Sequence, residues 1–403
     1  MSLRSNTLKN PIVVSGLGAL TPWGDSAVTQ GKLLDQAPDC FTLKDFDRRK
    51  RVPDRKMLKA ISHSDAMALV ALDDMRKNIG YQDDDGADPM HKGLFVGAPA
   101  ATAADNELYM EALQAAEGQV SQFGTTCMTA KPVTLLLGLP NNVLCYGAML
   151  LDAKGANNNY TAMGSSGFLA LINAYRRVAW GKLDTAYCGG FSAHSNEVDS
   201  RMFAAHGVAK EEGLSAGRCQ VTDAAVFACL ESHEQAEQAG RKPIAAIAGY
   251  GFANVGTPPF DIHQTSSRYE KMLRRTLSQV GIRIDDVGLI LSGSCGVPSL
   301  DTLELSSLRN VFEACDTPPA LGGAALAAGN MMEASGLYEL TLLDALYQKG
   351  KVPEALRPKL SHQEPFAEHF TDQLDSDKPY IVVSKISLTG QACVLVLRKE
   401  NQQ

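Results

Sequence analysis

Residues 160–168, YTAMGSSGF, combine the end of an extended segment, a tight turn and the start of a helix, the arrangement on which many enzymes present a nucleophile. The tip of that turn is Met163 or Gly164, and neither can attack an electrophile. Ser165 and Ser166 follow. Their hydroxyls would need a general base within hydrogen-bond reach, and the commoner use of serine at such a place is helix N-capping. Cys295, in SGSCG, has no His or Lys nearby in sequence to favour a thiolate, so it reads as a small buried hydrophobe. His194 in GGFSAHSN and His206 in FAAHGVAK could face a cleft, although satisfied core or surface histidines are commoner. The glycines of VSGLGAL do not complete G-x-G-x-x-G, which argues against a dinucleotide cofactor. The nine cysteines form no CxxC or CxxH pair, so neither a zinc site nor a thioredoxin-like motif is indicated, and no metal or cofactor is expected.

The elements that must carry this turn alternate between the two secondary-structure types. PIVVSGLGAL reads as a short buried strand with a Gly turn, and 62–79 repeats its apolar residues at helical spacing behind Ser62 or Ser64 as cap. KGLFVGAPA supplies a strand, FLALINAYRRVAWGK an amphipathic helix and LDTAYCGGF another strand, which makes a βαβ unit around the turn. The polar stretch 231–243 separates 1–240 from 241–403, and the second half repeats the first in outline. IAAIAGYGF resembles IVVSGLGAL, a helix near 267–280 leads to VGLILSGSCG, a helix follows at 332–349, and PYIVVSKISL pairs with QACVLVLRK. The expectation is an α/β fold of two similar halves.

Composition narrows the class of function. The chain has 403 residues, 45% of them hydrophobic, and a formal charge of -7, which suits a large core and not sequence-independent nucleic-acid binding. Basic clusters at Arg48–Arg51 with Arg55 and Lys56, and at Arg274-Arg275, read as solvated faces or as a local docking patch for an acidic carrier domain. No window approaches ~18 consecutive apolar residues, so no membrane span is expected. An odd number of cysteines scattered through apolar contexts suits reduced thiols in a cytoplasmic protein.

Taken together, these motifs resemble the β-ketoacyl-(acyl carrier protein) synthase family of the thiolase fold over nearly the whole chain. VVSGLGALTPWG is similar to its opening motif, and TAMGSSGFLALINAYRRVAWGKLDTAYCGG to the run from Thr-Ala-Cys-Ser-Ser-Gly to a Gly-Gly strand end. GVPSLDTLELSSLRNVF is similar to the segment Gly-Thr-Pro-x-Gly-Asp-x-x-Glu through Val-Phe. The resemblance implies a thiolase-like, layered αβαβα architecture. It also implies a Cys that takes an acyl chain from a carrier protein, and two His residues that assist decarboxylation and condensation.

Those groups are missing here. Gly164 stands at the Cys position when counted from Ser165-Ser166-Gly167, and Met163 when counted from Thr161-Ala162. Gly293 and Asn330 stand where the resemblance puts the two His residues, and Ala325 near its Lys, while Asp301 and Glu304 remain. The gating loop Gly-Phe-Gly-Gly-Thr-Asn has become SLTGQAC, with Gly390 in place. A ketosynthase-like chain without these groups resembles the chain length factor of type II polyketide synthases, which forms a heterodimer with an active ketosynthase and meets the acyl carrier protein only indirectly. The resemblance further implies that ANNNYTA lies at the two-fold interface. It also implies that a helix at about 103–115 closes the partner's acyl tunnel, with Asn106, Tyr109, Met110 and Leu113 as lining. The same spacing suits plain core for Met110 and Leu113 and a surface place for Tyr109. An aryl polyene or fatty-acid-like pathway fits better than an aromatic one, and malonyl-carrier decarboxylation is the alternative activity.

Overall fold

The computed structural model describes residues 10–25, 27–36, 38, 40–43, 46–82, 87–99, 137, 139–193, 221–256, 262–294, 297–358 and 369–400. Its strands are β1 Ile12–Leu20, β2 Lys92–Gly97, β3 Asn157–Tyr160, β4 Thr185–Ser192, β5 Ala224–Ser232, β6 Ala245–Asn254, β7 Val287–Leu291, β8 Ala320–Gly322, β9 Tyr380–Ile386 and β10 Gln391–Lys399. The helices that position the site are α1 His63–Asn78, α2 Asn142–Leu150, α3 Ser166–Ala179, α4 Ile262–Val280, α5 Pro298–Phe312 and α6 Leu337–Lys349.

The strands run in the order β3-β2-β4-β5-β1-β6-β10-β9-β7-β8. Renumbered from one, the second five repeat the order of the first five in mirror sequence. The pairing directions repeat as well. β2 lies parallel to β3 and β4, and β5 antiparallel to β4 and β1. β7 lies parallel to β8 and β9, and β10 antiparallel to β9 and β6. The two sets join where β1 pairs with β6, Val13 opposite Ala246 and Val14 opposite Ala245.

Alternation along the strands sorts their side chains into two faces. Leu94, Val96, Tyr187, Ala225 and Phe227 pack under α1, while Phe95, Cys188, Val226 and Ala228 face α3 and α6. In the second set Val382, Val394 and Val396 pack under α4 and α5, and Ile381, Val383, Cys393 and Leu395 face the same α3 and α6. Five layers result: α1, a sheet, the shared α3 and α6, a sheet, then α4 and α5. This is the expected thiolase-like αβαβα architecture. A repeated Gly-x-Gly seats each outer helix, since a Cβ on Gly18 would come within 2.2 Å of Ala71 O and one on Gly251 within 2.0 Å of Thr276 Oγ1.

The helix over 62–79 is present with Ser62 as its cap. Ser62 Oγ accepts from Asp65 N at 3.1 Å and Asp65 Oδ2 from Ser62 N at 2.8 Å, which forms a capping box. Two helices differ from expectation. α4 begins at Ile262, earlier than 267, and the helix over 332–349 is divided. A short 3-10 turn, Met332–Ala334, precedes an extended Ser335 at ψ 148°. Asn330 Oδ1 holds this break by accepting from Met332 N at 2.9 Å and Ser335 Oγ at 3.3 Å. Among the described residues no helix is long and apolar enough to cross a membrane, and no group of three or more His, Cys, Asp or Glu could hold a metal ion.

Candidate functional site

The turn between β3 and α3 holds Met163 at φ +32° and Gly164 at φ +108°, so both ambiguous positions belong to its tight bend. The hydroxyls that follow close the turn. Ser166 Oγ accepts from Ala162 N at 2.8 Å, and Ser165 Oγ donates to Ala162 O at 3.3 Å. Ser165 also bonds the buried Cys393 thiol, whose pKa burial pushes up to about 12. Histidines that could activate a serine lie elsewhere among the described side chains. His63 packs on Phe46, His91 pairs with Asp184, His233 lies by Glu237 and Glu400, and His369 faces Phe312 O. Leu388 N, from the loop after β9, donates to Met163 O at 3.2 Å and ties the turn to the second half of the fold.

The space in front of the turn is taken by one side chain. A Cβ on Gly164 would meet Lys385 Cε and Ser387 Cα, each at 3.9 Å, which is ordinary contact. Lys385 shares the register of Ile381 and Val383 on β9 and therefore faces the inner helical layer, where it is 2% exposed. Its Nζ donates to Gly293 O at 3.3 Å and to Asn330 Oδ1 at 3.5 Å. A Cβ on Gly293 would lie 2.8 Å from Lys385 Cα and from Lys385 Cδ. Ala325 lines the same small cavity as Gly293 and Lys385. The fold thus gathers Gly164, Gly293, Asn330 and Ala325 around a single lysine.

Two buried carboxyls complete the cluster. Glu304, on α5, accepts from Gly293 N at 3.0 Å, from Ser294 Oγ at 3.4 Å and from Ser384 Oγ. Burial raises its pKa against the pull of these hydrogen bonds and of Lys385. Glu339, on α6, accepts from Ala324 N at 2.9 Å, and burial raises its pKa to about 7. Asp301 is also buried, in the first turn of α5. Such a cluster can hold charge and protons. Among the described residues Ser294 and Ser384 donate their hydroxyls to Glu304, and no histidine belongs to the cluster.

Asn106, Tyr109, Met110 and Leu113, with the helix expected at about 103–115, lie outside the described residues, as do His194, His206 and Cys295. Lys385 and Glu339 were not singled out from sequence. One signal did exist, a lysine on the buried phase of IVVSKI, between apolar residues of a strand.

Known proteins share this architecture. The family model for the β-ketoacyl synthase N-terminal domain matches residues 9–226, and that for its C-terminal domain matches 244–358. The chain is 24% identical over 230 residues to the mellein synthase of Phaeosphaeria nodorum, covering 55% of this chain and 13% of that protein. It is 28% identical over 208 residues to a mycocerosic acid synthase-like polyketide synthase of Mycolicibacterium smegmatis, covering 48% of this chain and 9% of that protein. The chain therefore spans a small part of the length of these curated relatives. Among solved structures, the ishigamide ketosynthase/chain length factor matches with a TM-score of 0.79 at 17% identity, covering 97% of this chain and all of that one. AntDE:AntF, a type II PKS acyl-carrier protein in complex with its ketosynthase, gives the same TM-score, identity and coverage. A β-ketoacyl synthase from Burkholderia phymatum matches at 0.79 with 15% identity, over 97% of this chain and all of that one. At these identities the structures speak for the fold. With both domain models matched in order along a chain of five such layers, the protein belongs to the β-ketoacyl synthase family.

Proposed function

We propose that this chain is a non-catalytic, chain-length-factor-like subunit that pairs with an active β-ketoacyl synthase and shapes its acyl tunnel. The observation that carries the reading is the filled centre. The turn, the five layers and Glu304 are kept, while Gly164, Gly293 and Asn330 surround Lys385 in place of a nucleophile and its histidines. Similarity to a ketosynthase/chain length factor and to a ketosynthase in complex with its carrier protein supports the same reading. Asn106, Tyr109, Met110 and Leu113 are the proposed ruler of chain length, and an aryl polyene-like product is the proposed pathway.

The surface for the partner is the free edge of β3. Among the described residues β3 pairs on one side only, with β2, and Asn157 and Asn158 on it are exposed. α2 packs beside this edge and shows Cys145 and Met149 four residues apart on one face, Met149 being 72% exposed. An unpaired strand edge flanked by exposed apolar side chains is the form of an association surface.

Co-expression with a Cys-His-His ketosynthase of the same host tests the proposal. A one-to-one complex that condenses malonyl units is expected. Met149→Glu combined with Asn158→Lys should leave the circular dichroism of the isolated chain unchanged and weaken the complex about tenfold or more, read by size exclusion with light scattering. No complex with such a partner, together with release of CO2 from malonyl carrier by the chain alone, would replace this reading with the decarboxylase.

A further inference from the structure

A cavity bounded by α6, β9 and the segment 324–331 is lined by Gly293, Ser335, Tyr338, Glu339, Ser384 and Lys385, among others. Its volume is about 10 Å³, the room of a single water molecule. Two polar groups on its wall have bonding capacity to spare. Glu339 is 5% exposed; its Oε1 is taken by Ala324 N, and its Oε2 finds no partner among the described residues. Lys385 carries three N–H donors, and the two hydrogen bonds it makes among the described residues are long, at 3.3 and 3.5 Å. A buried carboxylate oxygen without a donor is costly, and an ammonium with a free donor beside the same one-water space supplies the remedy.

We infer that one ordered water occupies this cavity and joins Lys385 Nζ to Glu339 Oε2, so that the chain fills its own centre with a closed polar cluster where a condensing enzyme would seat an acyl thioester. This deepens the proposed function and rests on its reading of Gly164, Gly293 and Asn330. The charged groups acting on Glu339 are Lys385 from β9, which lowers its pKa, and Glu304 from α5, which raises it. Tyr338, its neighbour on α6, is held neutral by burial.

The test needs no partner subunit, so its failure is separate from failure of the heterodimer. A crystal structure of the native chain, at a resolution that orders buried waters, should show one water within hydrogen-bond reach of both atoms. A dry cavity, or direct contact of Lys385 with Glu339, overturns the inference. Lys385→Met removes the donor and the charge together. The pH at which Glu339 stops lowering stability should then rise by about one unit, read from urea unfolding across pH. An unchanged end point also overturns the inference. The crystallographic arm uses the native chain and decides the matter even where the variant does not fold.

Discussion

Replacing Gly190 by alanine is expected to lower stability by about 4 kcal/mol or more, among the largest effects of any single change in this protein. A Cβ on Gly190 would lie 2.1 Å from Glu333 O and 3.0 Å from Gly167 Cα. One on Gly167 would lie 2.4 Å from the same carbonyl, and one on Gly97 2.2 Å from Gly167 N. β2, β4 and the start of α3 therefore touch backbone to backbone directly behind the turn. Backbone atoms cannot swing aside as a side-chain tip can, so the added methyl has to displace α3 or the Glu333 segment. Urea unfolding of Gly190→Ala beside Gly181→Ala checks this. A Cβ on Gly181, at φ +63°, meets nothing within 4 Å, so that control should lose only about 1 kcal/mol through backbone strain. Equal losses in the two variants would mean that the seat of α3 is not close-packed.

The second large effect is one of pH. The Glu339 carboxyl has an ordinary pKa of 4.5, and burial raises it to about 7 in the folded protein. Folded protein thus holds this proton more tightly than unfolded chain does. The stability it contributes is complete below the unfolded value and disappears as pH rises through the folded one. At about 1.4 kcal/mol per unit of pKa difference, the loss comes to roughly 3 kcal/mol. Glu339→Gln keeps an oxygen for Ala324 N and removes the ionisation. It should match the native protein near pH 4 and exceed it by up to about 3 kcal/mol at pH 8. Unfolding curves that stay parallel across that range would show that Glu339 is neither buried nor titrating as described. Glu304, raised in the same direction, leaves a residual slope in both proteins.

The contrast between Glu339 and Lys385 and the rest of the chain shows what a sequence conveys. β1 and β6 were legible as strands because apolar runs with Gly-x-Gly appear twice, although Gly16 and Gly18 lie inside β1 and form no turn after a short strand. α1 was legible because Ser62 caps an apolar helical repeat. The turn at 160–168 was legible as a turn, although sequence could not choose between Met163 and Gly164; both adopt positive φ within it. Glu339 was not legible, and Lys385 only as a lysine on the buried phase of IVVSKI. Each sits on a segment whose second face is covered by the opposite half of the fold, and one-dimensional periodicity carries no record of that cover. β8 spans only Ala320–Gly322, too short to give a strand pattern of its own. The division of the helix expected over 332–349 depends on Asn330, whose side chain ties Met332 and Ser335 through contacts that spacing does not reveal.

We propose that this fold has kept its pedestal and given up the chemistry on it. The most direct test is acyl transfer from a labelled acyl carrier protein, run with the chain alone and with the reconstituted pair, followed by peptide mapping. No stable label is expected on this chain in either case, and in the pair the label should reside on the partner ketosynthase's cysteine. Stable acylation of this chain, at Ser165, Ser166, Cys295 or Lys385, would contradict the account.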